Sequence, residues 1–249
     1  MFVQDESGPV AGVFSERDLI YQLGLYANNL MDKEVSTQMI KDPQCVRTGT
    51  SLGRAIFFMA KEGYRHVPVV GIDGRVESVL SVRDFLNYIH TAFAHKLIKK
   101  SDCAAQESAL GRLLCMSIKD IYAKDTVTLA ADQNAADFVT TMAQNRCGSA
   151  VVVDADRRVK GIVTERDYLI KVIGQCDDYK SKLIEDFMTA SPKTLLEGST
   201  VALAFNSMAE GGFRHLPIVD DDERLIGMLS VRDLSNAVAD AIVQDLTSG

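Results

Sequence analysis

The sequence predicts an α/β fold built from tandem β-α-β-β-α repeats. Three observations carry this expectation. A heptapeptide recurs four times, at Gly12–Asp18, Ser78–Asp84, Gly161–Asp167 and Gly227–Asp233, each copy ending in Ser/Thr-x-Arg-Asp after an apolar pair. The copies are spaced hierarchically: Asp18 to Asp84 and Asp167 to Asp233 are both 66 residues, while Asp18 to Asp167 and Asp84 to Asp233 are both 149. The longer shift aligns much of the two halves without a gap, placing Met39 on Met188, Pro43 on Pro192, Met59 on Met208, and Gly63–Pro68 on Gly212–Pro217. Fixed internal periods of this length mark repeated supersecondary units.

The elements follow from apolar periodicity and turn residues. In the first repeat Met1 aligns with Ala150, so the chain opens at a hairpin; a preceding strand and helix, equivalent to Cys115–Ser149, are expected upstream, removed, or replaced by another chain. Without them the hairpin and its helix would leave an apolar face uncovered. The second repeat reads as a strand at Arg47, a helix over Leu52–Lys61, a strand over Val67–Val70, a turn at Asp73-Gly74 and a helix from Ser81. Phe85–Cys115 reads as a linker with a helix on each side of a polar break at Lys99–Asp102.

The third repeat is the clearest. Thr126–Leu129 is a β-branched strand. Gln133–Asn145 carries Ala136, Val139, Thr140 and Met142 at helical spacing. Ala150–Val153 and Val159–Val163 form a hairpin about the turn Asp154–Arg157, and Thr164 opens the next helix. The fourth repeat matches it: Thr194-Leu195, a helix over Thr200–Gly211, a hairpin of Leu216–Val219 and Leu225–Leu229, and a helix from Ser230. The expected organisation is repeat one at 1–34, repeat two at 35–96, a linker at 97–114, repeat three at 115–180 and repeat four at 181–249.

Composition excludes several function classes. A net charge of −7 argues against nucleic-acid binding, which rests on neutralising phosphates with Lys and Arg. No apolar run approaches a membrane span, and the start lacks the basic region of a signal peptide. Five cysteines (Cys45, Cys103, Cys115, Cys147 and Cys176), an odd number without C-x-x-C spacing, read as reduced thiols of a cytoplasmic protein. The methionines 31, 39, 59, 142, 188 and 208 read as core packing. No P-loop, G-x-S-x-G, H-E-x-x-H or G-x-G-x-x-G occurs, so no catalytic residue is assigned. His90 and His95 read as surface residues of the linker helix, and Asp220–Glu223 as a solvated turn, so no metal site is assigned.

Ser/Thr-x-Arg-Asp at a strand-to-helix junction supports two readings. A helix N-terminus suits phosphate, the hydroxyl adds a donor, and a carboxylate three residues on has two acceptors for the two hydroxyls of a ribose. The same spacing makes a capping box. Asp is the poorer residue for reaching back to the N-cap N–H, and capping does not require the recurrent Arg. Arg65-His66 and Arg214-His215, opening a hairpin strand in the even repeats, suit phosphate contacts or a solvated strand start.

These residues resemble the cystathionine-β-synthase (CBS) domain family. The likeness lies in the repeat order, in Arg214–Val219 with Gly227–Asp233, and in Gly148–Val153 with Thr164–Asp167. The resemblance implies repeats paired by pseudo-twofold symmetry into two Bateman modules. Their clefts would take an adenosine-containing ligand such as AMP, ADP, ATP, NADH or S-adenosylmethionine, with no further cofactor. It implies a non-catalytic energy or metabolite sensor, similar in plan to the γ subunit of AMP-activated protein kinase, acting on an effector protein yet to be named. The alternative is an oligomerisation or scaffold module with vestigial sites. Self-association into a homodimer is consistent with either.

Carried onto this sequence, Ser15, Asp18, Ser81, Asp84, Thr164, Arg166, Asp167, Ser230, Arg232 and Asp233 would hold phosphate and ribose. Arg65, His66, Arg214 and His215 would face phosphates, and the partner repeat's lead-in segment would frame the adenine. The third repeat departs by having Gly148-Ser149 where the even repeats have Arg-His. The resemblance leaves Asp84 without a lead-in segment and places the soundest sites in the second half.

Overall fold

The repeated pattern folds as expected in the computed structural model, which describes residues 1–4, 8–25, 33–97, 108–173 and 181–247. The break at Lys99–Asp102, together with Met31, Cys103 and Cys176, lies outside them. The first repeat contributes β1 (Phe2–Gln4), β2 (Val10–Val13) and α1 (Glu16–Leu25). The second contributes α2 (Val35–Gln38), β3 (Ile40–Lys41), β4 (Val46–Arg47), α3 (Leu52–Glu62), β5 (His66–Val70), β6 (Val76–Ser81) and α4 (Val82–Leu97).

After α5 (Ala109–Cys115) come β7 (Thr128–Leu129), α6 (Ala135–Asn145), β8 (Ser149–Val153), β9 (Val159–Thr164) and α7 (Glu165–Tyr168). Helix α7 continues as a π-helical turn, Leu169–Ile173. The fourth repeat supplies α8 (Ile184–Phe187), β10 (Thr189–Ala190), β11 (Leu195–Leu196), α9 (Val201–Gly211), β12 (His215–Val219), β13 (Leu225–Ser230) and α10 (Val231–Thr247).

Each complete repeat makes a three-stranded core of one parallel and one antiparallel pair. β7 runs parallel to β8, which pairs antiparallel with β9. β4-β5-β6 repeats this register, and β11-β12-β13 has the same strand order. The turn Asp220–Glu223 closes its hairpin as expected, Asp220 Oδ1 accepting from the backbone N–H of Asp222 (3.0 Å) and Arg224 (2.8 Å).

The short lead-in segments were not legible as strands, because two residues carry no periodicity. Each joins the hairpin of another repeat. β3, from the second repeat, pairs with β2 of the first. β10, from the fourth, pairs with β9 of the third. Ala123, in the third repeat's lead-in, bridges Met228 of the fourth, with Ala123 N–H donating to Met228 O at 3.0 Å and Met228 N–H to Ala123 O at 2.9 Å.

These exchanges explain the first residue of the heptapeptide. The side chains of Met39, Met188 and Tyr122 lie where a Cβ at Gly12, Gly161 or Gly227 would stand. The second copy has Ser78 instead, and among the described residues no lead-in strand pairs with β6. Val79 on that strand is 44% exposed.

Two compact units result, and they group the repeats by parity. Unit one is Met1–Pro43, Asp125–Lys193 and Asp220–Ile226; unit two is Gln44–Lys124, Thr194–Val219 and Gly227–Gly249. The core of unit one joins Ile20 of the first repeat to Leu129, Phe138, Met142, Val163, Tyr168, Ile184 and Phe187. Phe138, Tyr168 and Phe187 form a ring cluster with centroids 5.5–6.2 Å apart. In unit two, α10 packs against α3, α4, α5 and α9, burying Ile56, Met59, Phe205, Met208, Leu234 and Val238.

α5 packs into unit two: Leu113 and Leu114 are buried, and the Ala109 N–H donates to Asp245 Oδ1 of α10 at 2.7 Å. One expectation needs correction. His90 is not a surface residue: it is half-buried one turn after buried Leu86, and its Nδ1 is enclosed without a hydrogen-bond partner among the described residues.

Candidate functional site

All four Ser/Thr-x-Arg-Asp motifs sit where a hairpin strand becomes a helix, and all four make the same local structure. The aspartate Oδ2 accepts from the backbone N–H of Ser15, Ser81, Thr164 and Ser230 at 2.8, 2.8, 3.1 and 2.7 Å. It also accepts the hydroxyl of the same residue, at 2.6 Å in every copy. The hydroxyl oxygen accepts in turn from the aspartate N–H, at 3.2–3.5 Å. Asp, the poorer residue for reaching back to the N-cap N–H, nevertheless does so directly in all four copies. A cap of this kind contributes about 1 kcal/mol. The box uses Oδ2 and leaves the second aspartate oxygen, Oδ1, available for another partner.

The recurrent arginine differs between the two units. In unit two Arg232 Nη2 donates to Gly63 O at 2.9 Å, and Arg83 donates to Gly212 O. Gly63 and Gly212 are the left-handed C-caps of α3 and α9, with φ of 72° and 67°. Each arginine thus places its cation at the negative end of a helix in the other even repeat. In unit one the residue before the arginine is Glu rather than Val. Arg17 Nε meets Glu165 Oε1 at 3.3 Å, and Arg166 Nη1 meets Glu16 Oε1 at 3.9 Å. The Glu165 side chain is only 5% exposed.

This exchange explains Gly148. A Cβ there would come within 2.7 Å of Glu165 Oε2, so the carboxylate occupies the space beside the strand start. Where the helix carries neutral Val82 or Val231, the strand starts with Arg65-His66 or Arg214-His215. Those residues adjoin the caps: His66 pairs in register with Ser81, Val82 N–H donates to Arg65 O at 3.0 Å, and Val231 N–H donates to Arg214 O at 2.9 Å. Partial desolvation, then the cations of Arg214 and Arg65, lower the His66 pKa from its usual value, while Asp84 opposes them. The strand starts of the second and fourth repeats therefore share one positive field. Sequence reading found these four residues but missed Glu16 and Glu165, whose signal was the alternation of Glu and Val before the arginine.

Among the described residues no group of His, Cys, Asp and Glu is arranged to hold a metal ion. No described helix is long and apolar enough to cross a membrane.

The CBS domain profile matches residues 33–91, 118–174 and 184–240. The chain belongs to the CBS domain family. CBS domain proteins are generally regulatory rather than catalytic. The chain is 24% identical over 259 residues to the CBS domain-containing protein CBSCBSPB5 of Arabidopsis thaliana, covering 95% of this chain and 47% of that protein. It spans about half the length of the Arabidopsis relatives it matches. Among solved structures it resembles MJ1225 of Methanocaldococcus jannaschii, proposed as an archaeal homologue of the AMP-activated protein kinase γ subunit. The TM-score is 0.76 at 18% identity, covering 95% of this CBS chain and 86% of the other. A conserved protein from Pyrococcus horikoshii matches with TM-score 0.64 at 19% identity, over 96% and 90% of the two chains. At these identities the likeness shows the tandem α/β CBS fold alone.

Proposed function

We propose that this chain is a non-catalytic sensor that binds an adenosine-containing ligand, an adenine nucleotide or a related adenosyl compound, and transmits its presence to an effector protein. The observation that carries this reading is the sign of the even-repeat junction. Arg65, His66, Arg214 and His215 stand beside the caps of α4 and α10, where cationic side chains and a helix N-terminus together suit a phosphate. Asp84 and Asp233 each keep one oxygen outside the capping box for a ribose hydroxyl. The proposed kinship of MJ1225 with the kinase subunit agrees with an energy-sensing role, and the reading assigns that role to the cytoplasm.

A scaffold reading draws support from the capping boxes, which satisfy the motif without a ligand. A thermal-shift screen separates the two. With AMP, ATP, NADH or S-adenosylmethionine at about 100 times its dissociation constant, a ligand that binds only the folded state adds about 2.7 kcal/mol. That should raise the melting temperature by about 5 °C or more for a chain of this size. No shift with any of the four compounds would reject the sensor.

A further inference from the structure

Of the four motif aspartates, Asp167 alone bears an ammonium group among the described residues. Lys171 Nζ lies 2.8 Å from Asp167 Oδ1, the oxygen that the capping box leaves over. The same ammonium donates to Phe187 O at 2.9 Å, so it is held from two sides. Phe187 is the last residue of α8, and its carbonyl belongs to the negative end of that short helix. Lys171 stands on the π-helical turn Leu169–Ile173, whereas α1, α4 and α10 are α-helical at the corresponding positions. Such turns are rare and tend to mark functional positions. The corresponding residues elsewhere, Gln22, Tyr88 and Ala237, carry no cation. On the other side of the same junction, buried Glu165 fills the place of the strand-start arginine and is paired with Arg17.

We infer that the third-repeat half-site is closed by the chain's own charges: Lys171 stands in for the ligand on Asp167, and Glu165 stands where a cation would meet phosphate. Ligand is left to the other half-sites. This rests on the sensor reading for its ligand class. Its physical content is separate, because an occupied acceptor lowers apparent affinity by the fraction of time it is free.

The test is AMP binding by isothermal titration calorimetry on the full chain, wild type against Lys171→Met. Removing the ammonium frees Asp167 Oδ1 and should raise AMP affinity at that site about tenfold, visible as an added binding event. The double variant K171M/D167A should lose the gain. Lys171→Gln, which keeps a donor for Phe187 O without a charge, replaces Lys171→Met if the latter does not fold. A gain that depends on Asp167 supports closure whether the wild type binds AMP or not. No gain, or weaker binding in the lysine variants, overturns it. Failure of the sensor reading has a different signature, since the wild type would then show no binding at all.

Discussion

Units one and two are built from the same repeat, yet their junctions carry opposite electrostatic solutions. In unit one each motif arginine faces a glutamate, Glu165 or Glu16, and the strand start of the third repeat is Gly148-Ser149. In unit two each motif arginine faces a helix C-cap carbonyl, and the strand starts are Arg-His. One arrangement is closed on itself. The other gathers the cations of the strand starts beside the helix N-termini of α4 and α10. The recurrent Ser/Thr-x-Arg-Asp is common to both arrangements. The residue before its arginine and the residue that starts the neighbouring strand differ together between the third repeat and the even repeats.

Breaking the buried ion pair should give the largest effect. Arg17→Ala leaves the Glu165 carboxylate enclosed without its guanidinium and should cost about 3 kcal/mol of unit-one stability in urea denaturation. Arg83→Ala, which removes a donor from an exposed C-cap carbonyl, should cost about 1 kcal/mol. Equal losses would erase the distinction between the units. Next in size, Arg65→Ala and Arg214→Ala should each weaken AMP binding about tenfold, the scale of one charge-assisted contact, with little change in melting temperature. Unchanged affinity in both would remove unit two's claim to the anion.

The smallest effect is in pH. The folded state depresses the His66 pKa, so the unfolded chain takes up this proton first, and the stability it contributes is lost as pH falls through the ordinary imidazole range near 6.5. A bound phosphate would reverse the repulsion from Arg214 and Arg65. AMP affinity should therefore rise about threefold between pH 7 and pH 5.5, and His66→Gln should flatten that slope. A rise that persists in the variant would assign the proton elsewhere.

The larger elements were legible because each carries its own signal. Val151 and Val152 read as a buried strand, and both are fully enclosed; Met59, Met142 and Met208 read as core, and each is at most 2% exposed. The repeat spacing carried the architecture. What escaped was non-local. β3 and β10 are two residues long and are strands only because another repeat's hairpin presents an edge. The parity grouping depends on which helix faces meet, which periodicity within one repeat does not encode. At the site, the hydroxyl and carboxylate of each motif were legible, but Glu165 looked like any first-turn acid and Lys171 like any helix-surface lysine. Their meaning lies in Gly148 and in Asp167, and only the folded geometry joins them.

The exchange of lead-in segments also sets an order of assembly. Unit one is threaded from three stretches of chain, and Ile20 is enclosed by residues that follow it far downstream, from Leu129 to Phe187. During synthesis, at roughly 5–20 residues per second, the first repeat's hairpin and helix wait on the order of 10 seconds for these partners. Neither unit can close until the fourth repeat has emerged, since Asp220–Ile226 completes one and Gly227–Gly249 the other. Folding is thus dominated by distant contacts, the regime of slow and chaperone-exposed chains. An early stop before Asp220 would leave both halves open, not a finished first half and a missing second.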